Sequence, residues 1–509
     1  MQILPPESKI TVRAPREPAS ESGLVRADAA AFVVAEQDRA AVVEALPHAD
    51  LWKALLARAE RHGKSPLLVS RLPNPRHTLA TVGFLRRGAS AYERLDLAGR
   101  MMRELVRPGV ASLQCHAAGF DAAEAPSVLE AVASAALAAA APMPQRKSKP
   151  ALPPELRTIA VHGGRRADLD LAVALSRGNH LARWLTALPP NDLDCIAYRG
   201  ALQRLARSEG WSFRFYGERA LARLGAGAFL AVTRANPHRG AGIVRLTYRP
   251  PGARRVRRIG LVGKGVCFDT GGINLKSHKG MYLMHGDMQG SAVAVGTLLA
   301  LARGGTPLEI DCWLALTENQ IGPRAYRPQE VVQAMNGVTI QVVHSDAEGR
   351  MLLADTLALA ARARPALLLD FATLTGACVN AITDRYSGAF TNRPELEGVL
   401  QEAGRASGER VWCFPMDEDF DTELDSSIAD VLQCAVESKG DHILAARFLA
   451  RFVPGDLPWA HIDLAASERK GGLAHVPTEF TGFGVRFAAQ LLRGGALFDR
   501  LKSASEPRQ

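Results

Sequence analysis

Two stretches of the chain hold residues whose types and spacing could do chemistry. The first begins at Gly263-Lys264-Gly265 and continues through Asp269, the pair Gly271-Gly272, Lys276 and Asp287. Glycines let a backbone turn tightly and approach a ligand. Two lysines and two carboxylates within 24 residues are costly to bury unless they neutralise one another or hold a metal. Alone, this stretch suits a salt-bridged loop or a phosphate cradle as well as a metal site. It is not a Walker A loop, because the glycine-to-GK[ST] spacing is absent. The second stretch is His344-Ser345-Asp346-Ala347-Glu348-Gly349-Arg350, set between an apolar run and a helical pattern. If the chain stays extended there, Asp346 and Glu348 point the same way and Arg350 continues that face. Asp269, Asp287, Asp346 and Glu348 carry four negative charges, which two divalent cations would balance. All-oxygen donors suit Mn2+, Mg2+ or a carboxylate-rich pair of Zn2+ ions. Such a pair can activate a water and clamp the oxygen under attack. Without metal, carboxylates this close need strongly raised pKa values.

The elements that must position these residues follow from hydrophobic pattern. Apolar β-branched runs at 259–262, 309–316, 338–343, 366–370 and 459–464 read as strands. Helical periodicity appears at 291–303, 351–363 and 443–452. The alternation predicts an α/β fold around a central mixed sheet flanked by helices, with the polar motifs at strand ends, where such sheets bind ligands. Upstream, Leu79–Leu85 reads as a strand and 92–106 as a helix. Residues 141–155 are proline-rich around a charged centre and should be extended and exposed. The expectation is therefore two domains: a smaller N-terminal α/β domain over 1–155, ending in that linker, and a larger catalytic α/β domain over 156–509.

Composition narrows the class. The chain has 509 residues, 47% apolar and 22% charged, which excludes disordered and fibrous proteins. Residues 1–26 lack the apolar core of a secretory signal, and the Ala-rich stretch 127–143 is too short and weakly apolar to span a bilayer. It reads as a buried or amphipathic helix. Seven scattered cysteines without a CxxC pair read as reduced thiols, so a soluble cytoplasmic protein with no membrane contact is expected. The net charge of +10 is diffuse; its sharpest run, Arg254, Arg255, Arg257 and Arg258, reads as a solvated hairpin end, with a nucleic-acid patch the competing reading.

Together the two stretches resemble the leucyl aminopeptidase (cytosol aminopeptidase) family of dinuclear metallopeptidases. The family signature NTDAEGR stands here as residues 344–350, altered at its first two positions. Lys264, Asp269, Lys276 and Asp287 fall at the family's upstream offsets. Further likeness lies in Ala325-Tyr326-Arg327-Pro328, Ala372-Thr373-Leu374-Thr375-Gly376-Ala377, Trp459-Ala460-His461-Ile462-Asp463 and Thr481-Gly482-Phe483-Gly484. The resemblance covers about residues 180–490 and implies hydrolysis of peptides from a free N-terminus. It implies two divalent ions per subunit, Mn2+ or Zn2+ with Mg2+ an alternative at one site, held by Lys264, Asp269, Asp287, Asp346 and Glu348. Lys264 would ligate as the neutral amine, with a depressed pKa. Lys276 would stabilise the oxyanion, and Arg350 would anchor a bicarbonate that acts as general base. Met284, Thr373, Leu374 and Gly376 would meet the substrate. A homohexamer is the implied assembly. Some relatives add an architectural DNA-binding role, which is the rival function on this fold.

Some positions depart from the family pattern. Asp441 and His442 replace small residues at the start of a helix beside the expected side-chain pocket, His442 reading as pocket-lining or helix-starting. Ala187 replaces an asparagine before Pro189-Pro190-Asn191, and Tyr282 an acidic residue. His461 reads as a satisfied core histidine. Cys267 and Cys378 read as small buried hydrophobes, and Met281 and Met288 as packing near the site.

Overall fold

The computed structural model describes residues 3–16, 20–61, 67–252, 256–437 and 439–503. The apolar runs of the N-terminal part form a six-stranded sheet. Its order is Thr11–Arg13, Thr158–Val161, Ser112–Ala118, Ala29–Ala35, Leu79–Leu85, Leu68–Arg71. All neighbours are parallel except the antiparallel Leu68–Arg71 edge. Helices Ala91–Leu105, opened by a Ser90–Glu93 capping box, and Ala125–Ala140 pack on one face. The second of these is the Ala-rich stretch, and it is buried as expected. No helix among the described residues is long and apolar enough to cross a membrane. The proline-rich segment 141–155 forms no regular element and is largely exposed. Yet Thr158–Val161, beyond it, pairs with Ser112–Ala118, so sheet pairing keeps a strand past the expected boundary at 155 with the N-terminal sheet.

The second sheet is built on four parallel strands: β1 (Arg258–Asp269), β2 (Glu309–Asn319), β3 (Leu367–Ala372) and β4 (Trp459–Asp463), in the spatial order β4-β3-β1-β2. Ser387–Thr391 adds antiparallel to β4, with Val411–Cys413 outside it. Gly242–Tyr248 adds antiparallel to β2, with Ser212–Gly217 outside it. The eight strands make the expected mixed sheet. Its central strands are buried on both faces, and their side chains alternate between two cores. Leu261, Leu314 and Leu369 face helix α1 (Gln289–Arg303) and helix Arg166–Thr186; Val262, Trp313 and Leu368 face α2 (Glu348–Ala361) and, later in the chain, the helix Asp441–Ala450. Helix α3 (Gly376–Ile382) follows β3.

Helix α1 lies on the sheet at glycine distance. A Cβ on Gly263 of β1 would meet Ser291 Cα at 2.5 Å, and one on Gly290 of α1 would overlap the Phe371 carbonyl. Gly290→Ala must therefore push α1 away from β3, and unfolding by urea should show a loss of roughly 2–3 kcal/mol. An unchanged midpoint would mean the approach is not tight.

Three expectations are corrected. Strand β1 does not stop at 262 but runs through Lys264 to Asp269. The run 338–343 forms only Thr339–Gln341, in a separate three-stranded sheet with Val331–Gln333 and Val431–Leu432. It leaves the ladder because the Val343 and His344 N–H groups donate to the Gln433 side chain, each at 3.0 Å. The arginine run does not close a hairpin, since Gly242–Tyr248 and β1 lie on opposite sides of β2. Arg254 and Arg255 lie outside the described residues. Arg257 sits over the Phe498 ring, and Arg258 donates to Glu309 at 3.0 Å.

All seven cysteines are free, and all but Cys413 are buried. Burial pushes the Cys267 and Cys378 thiols up, as suits inert packing groups. His461 is the expected buried core histidine but only half satisfied: Nδ1 is 2.6 Å from the Asp370 carboxylate, while Nε2 finds no hydrogen-bond partner among the described residues.

Candidate metal centre

The strand end that carries Lys264 and Asp269 contains an irregularity that the site depends on. Val266 is opposite Thr317, but Asp269 is opposite Asn319, so β1 spends one residue more than β2 over that step. An extra residue resets side-chain alternation. Lys264 and Asp269, an odd number apart, therefore both reach the site. Past Asp269 the chain reverses through Gly271 and Gly272 (φ +85° and +66°), a left-handed pair that brings Lys276 back. Asp287 sits just before α1.

The second stretch is not extended. Asp346 lies in a turn, and Glu348 and Arg350 occupy the first turn of α2. The turn, not strand alternation, aims both carboxylates inward. A Cβ on Gly349 would lie 2.8 Å from Lys264 Cε and Nζ, so the lysine fills the space that glycine leaves.

The geometry joins all five expected ligands. Lys264 Nζ is 2.8 Å from both Asp287 Oδ1 and Glu348 Oε1, and donates to the Thr373 carbonyl at 3.0 Å. Lys276 Nζ is 2.9 Å from Asp269 Oδ2 and 2.6 Å from Asp346 Oδ1. Asp269, Asp346 and Glu348 each offer an oxygen within 4.8 Å of the others. Burial, reinforced by neighbouring carboxylates, pushes the Asp287 carboxyl up and raises Asp346 to about 6; Glu348 is raised for the same reasons. Four carboxylates meet two ammonium groups, leaving a formal charge of −2 in a buried place. Moreover, Asp287 Oδ2 and Glu348 Oε2 are buried without a hydrogen-bond partner among the described residues. Unmatched carboxylate oxygens in an electronegative cluster fit divalent cations, because no described residue otherwise repays their desolvation.

For Lys264 the cluster without cations differs from the loaded centre to which the expectation applies. Burial lowers its pKa, but Asp287, Glu348 and Asp269 outweigh burial and raise the ammonium above its ordinary value. Without cations the lysine itself serves as counter-charge; ligation as the neutral amine requires cations to take over that role. Lys276 behaves alike: burial lowers it, and Asp269 and Asp346 raise it.

Several residues to which the sequence reading gave no role hold the candidate ligands in place. Asn319 donates to Asp269 Oδ1 at 2.9 Å and to the Ser345 carbonyl at 3.0 Å. Tyr326 donates to that same carbonyl at 2.7 Å, and Ser345 Oγ donates to Gly271 O at 2.6 Å, tying the two stretches together. Asp463, at the end of β4, accepts from the Leu374 N–H and from Thr375 Oγ1, which fixes the turn before α3. The only signal available for Asn319 was its place at a strand end, whereas Asp463 also closes the family-like run Trp459–Asp463.

Beside the cluster lies a cavity of about 970 Å³, and Met284, Thr373, Leu374 and Gly376 all line it. Thr373 Oγ1 donates to Asp287 Oδ1 at 2.7 Å, so it orients a ligand as well as facing the cavity. The Leu374 N–H is committed to Asp463; the backbone group it can offer a substrate is its carbonyl. Tyr282 is exposed. Arg350 is buried, and its Nη2 donates to Asp441 Oδ1 and Oδ2 at 2.9 and 2.7 Å. The bicarbonate expected on Arg350 thus meets a rival already in place. His442 is the second residue of the helix Asp441–Ala450 and packs edge-on against Phe414, with ring centroids 4.5 Å apart.

Residues 180–489 match the catalytic domain of the cytosol aminopeptidase family. The chain belongs to that family, whose members are peptidase hydrolases. A probable cytosol aminopeptidase of Synechococcus sp. (strain JA-3-3Ab) is 35% identical over 86% of this chain and 89% of its own length. One from Chlorobium limicola is 37% identical, over 64% of either chain. Among solved structures, a tomato leucine aminopeptidase variant superposes with a TM-score of 0.85 at 26% identity, covering 96% of this chain and 98% of its own. The bottromycin maturation enzyme BotP in complex with Mn gives 0.79 at 30% identity, covering 92% and 100%. This cytosol aminopeptidase-family chain thus shares the two-domain α/β fold of leucine aminopeptidase across nearly its full length.

Proposed function

We propose that the chain is a metal-dependent aminopeptidase that releases N-terminal residues from peptides at a two-metal centre. The observation that carries this reading is the convergence of Asp269, Asp346 and Glu348, with unpartnered oxygens at Asp287 and Glu348, beside a cavity large enough for a peptide end. A Mn-bound relative with the same fold supports divalent ions. Lys264, Asp269, Asp287, Asp346 and Glu348 would hold two cations, Mn2+ or Zn2+, with Mg2+ an alternative at one site. When bound, the ions supply an acidified water and polarise the peptide carbonyl. Lys264 would hold a cation as the neutral amine, having lost its proton to solvent.

The chain's own groups do the rest. Lys276 keeps its charge and stands where negative charge develops on the attacked oxygen. Arg350 stays charged and fixes an anion without acting as the base. The Leu374 carbonyl and the Gly376 backbone align the substrate main chain, with Met284 and Thr373 near its first side chain. A free α-amine on the substrate would supply a further donor to the cations, which would restrict cleavage to the first residue. A homohexamer in the cytoplasm completes the reading, on the strength of the family likeness.

The test compares leucine and methionine amides with their N-acetyl forms on the Mn2+-loaded enzyme. Only the free amines should be cut. Equal cleavage of both forms would contradict recognition of the N-terminus.

A further inference from the structure

Arg350 is buried, and a buried guanidinium requires a counter-charge. It has one in hand: both Asp441 oxygens accept from Nη2, while Nη1 donates to the Gln433 carbonyl at 3.3 Å. Asp441 is the first residue of a ten-residue helix, where a carboxylate is favoured by the helix dipole, and the left-handed Gly440 (φ 65°) sets the entry. Its side chain keeps 22% exposure and faces the same cavity as the ligand carboxylates. It also acts electrostatically on His344, which Lys276 influences in turn. A carboxylate held by a buried arginine at the rim of a hydrolytic cavity is oriented and accessible to water.

We propose that Asp441 is the resident anion of Arg350 and the catalytic base of this enzyme, so that no dissociable anion such as bicarbonate is needed. This rests on the aminopeptidase reading above. In the addition step an O–H bond of the attacking water breaks and its proton passes to Asp441. The water oxygen bonds to the peptide carbonyl carbon, and the carbonyl π pair moves to the oxygen beside Lys276. In the collapse step that pair re-forms the carbonyl, the C–N bond breaks, and Asp441 returns the proton to the leaving amine.

Turnover of an aminoacyl amide is measured with the Zn2+-loaded enzyme in buffer stripped of carbon dioxide, with and without added bicarbonate. Wild type should be indifferent to bicarbonate. Asp441→Gly should be slower by roughly 10²-fold or more and recover in part with bicarbonate or formate. Asp441→Asn, which retains size and a contact to Arg350, should be as slow. ¹³C-bicarbonate NMR adds a readout free of turnover: binding is expected to Asp441→Gly and not to wild type. The inference is overturned if wild type binds bicarbonate or speeds up with it, or if either variant keeps full activity without it. A slow Asp441→Gly that no carboxylate restores overturns it as well. A metal-loaded wild type that cuts no free-amine substrate fails at the aminopeptidase reading instead.

Discussion

Asp346→Ala should lower kcat/KM for a peptide amide by roughly 10³-fold or more, while the metal-free protein stays folded or gains stability. The two halves of this expectation come from one cause. In the absence of cations Asp346 is a partly buried member of a cluster with excess negative charge, and its carboxyl is raised from 3.8 to about 6, chiefly by burial and then by Asp269. A raised acid binds more protons folded than unfolded across that window, so metal-free stability falls as pH rises from about 4 to about 6. Alanine removes that loss. With cations bound the sign reverses, because Asp346 becomes an attractive partner whose removal weakens the site. Thermal melts of wild type and variant, with and without Mn2+, should therefore cross: the variant equal or higher without metal, wild type higher with it. A variant that melts lower in both states would show Asp346 to be a structural residue.

Lys276→Ala should lower kcat by about 10²–10³, some 3–4 kcal/mol of transition-state stabilisation, with little change in KM. Its ammonium lies 2.9 and 2.6 Å from Asp269 and Asp346, so it competes with cations for the same carboxylates. Removing it should leave metal affinity unchanged or tighter. Kinetics paired with metal content on dialysed protein separates these effects. Loss of metal in proportion to rate would place Lys276 among the ligands.

Much of this site was legible because its residues cluster along the chain at strand and helix ends. The two stretches carry all five proposed ligands, Lys276 and Arg350, and residue type limits what such a set can do. What pattern did not reveal was local path and distant partnership. The bulge before Asp269 depends on the register of β1 against β2, a non-local quantity. The turn at Asp346 depends on Gln433 drawing Val343 and His344 out of the ladder, 90 and 89 residues away. Asp441 registered only as an oddity of helix composition, because its partner Arg350 is 91 residues distant. The protonation of Lys264 was read for the loaded centre, whereas the bare cluster keeps its ammonium charged. In the N-terminal part, the Thr158–Val161 strand was hidden behind the proline-rich segment, since only pairing with Ser112–Ala118 reveals where it belongs.

The central claim is that this carboxylate cluster turns over substrate through two divalent cations. Titrating the metal-free enzyme with Mn2+, while following bound metal and hydrolysis of a free-amine aminoacyl amide together, tests it most directly. Activity should rise to its plateau as binding approaches two equivalents per chain, and Asp346→Ala should not reach that plateau. Full hydrolysis in the metal-free enzyme, or two bound ions with no cleavage of any free-amine amide, would contradict the account.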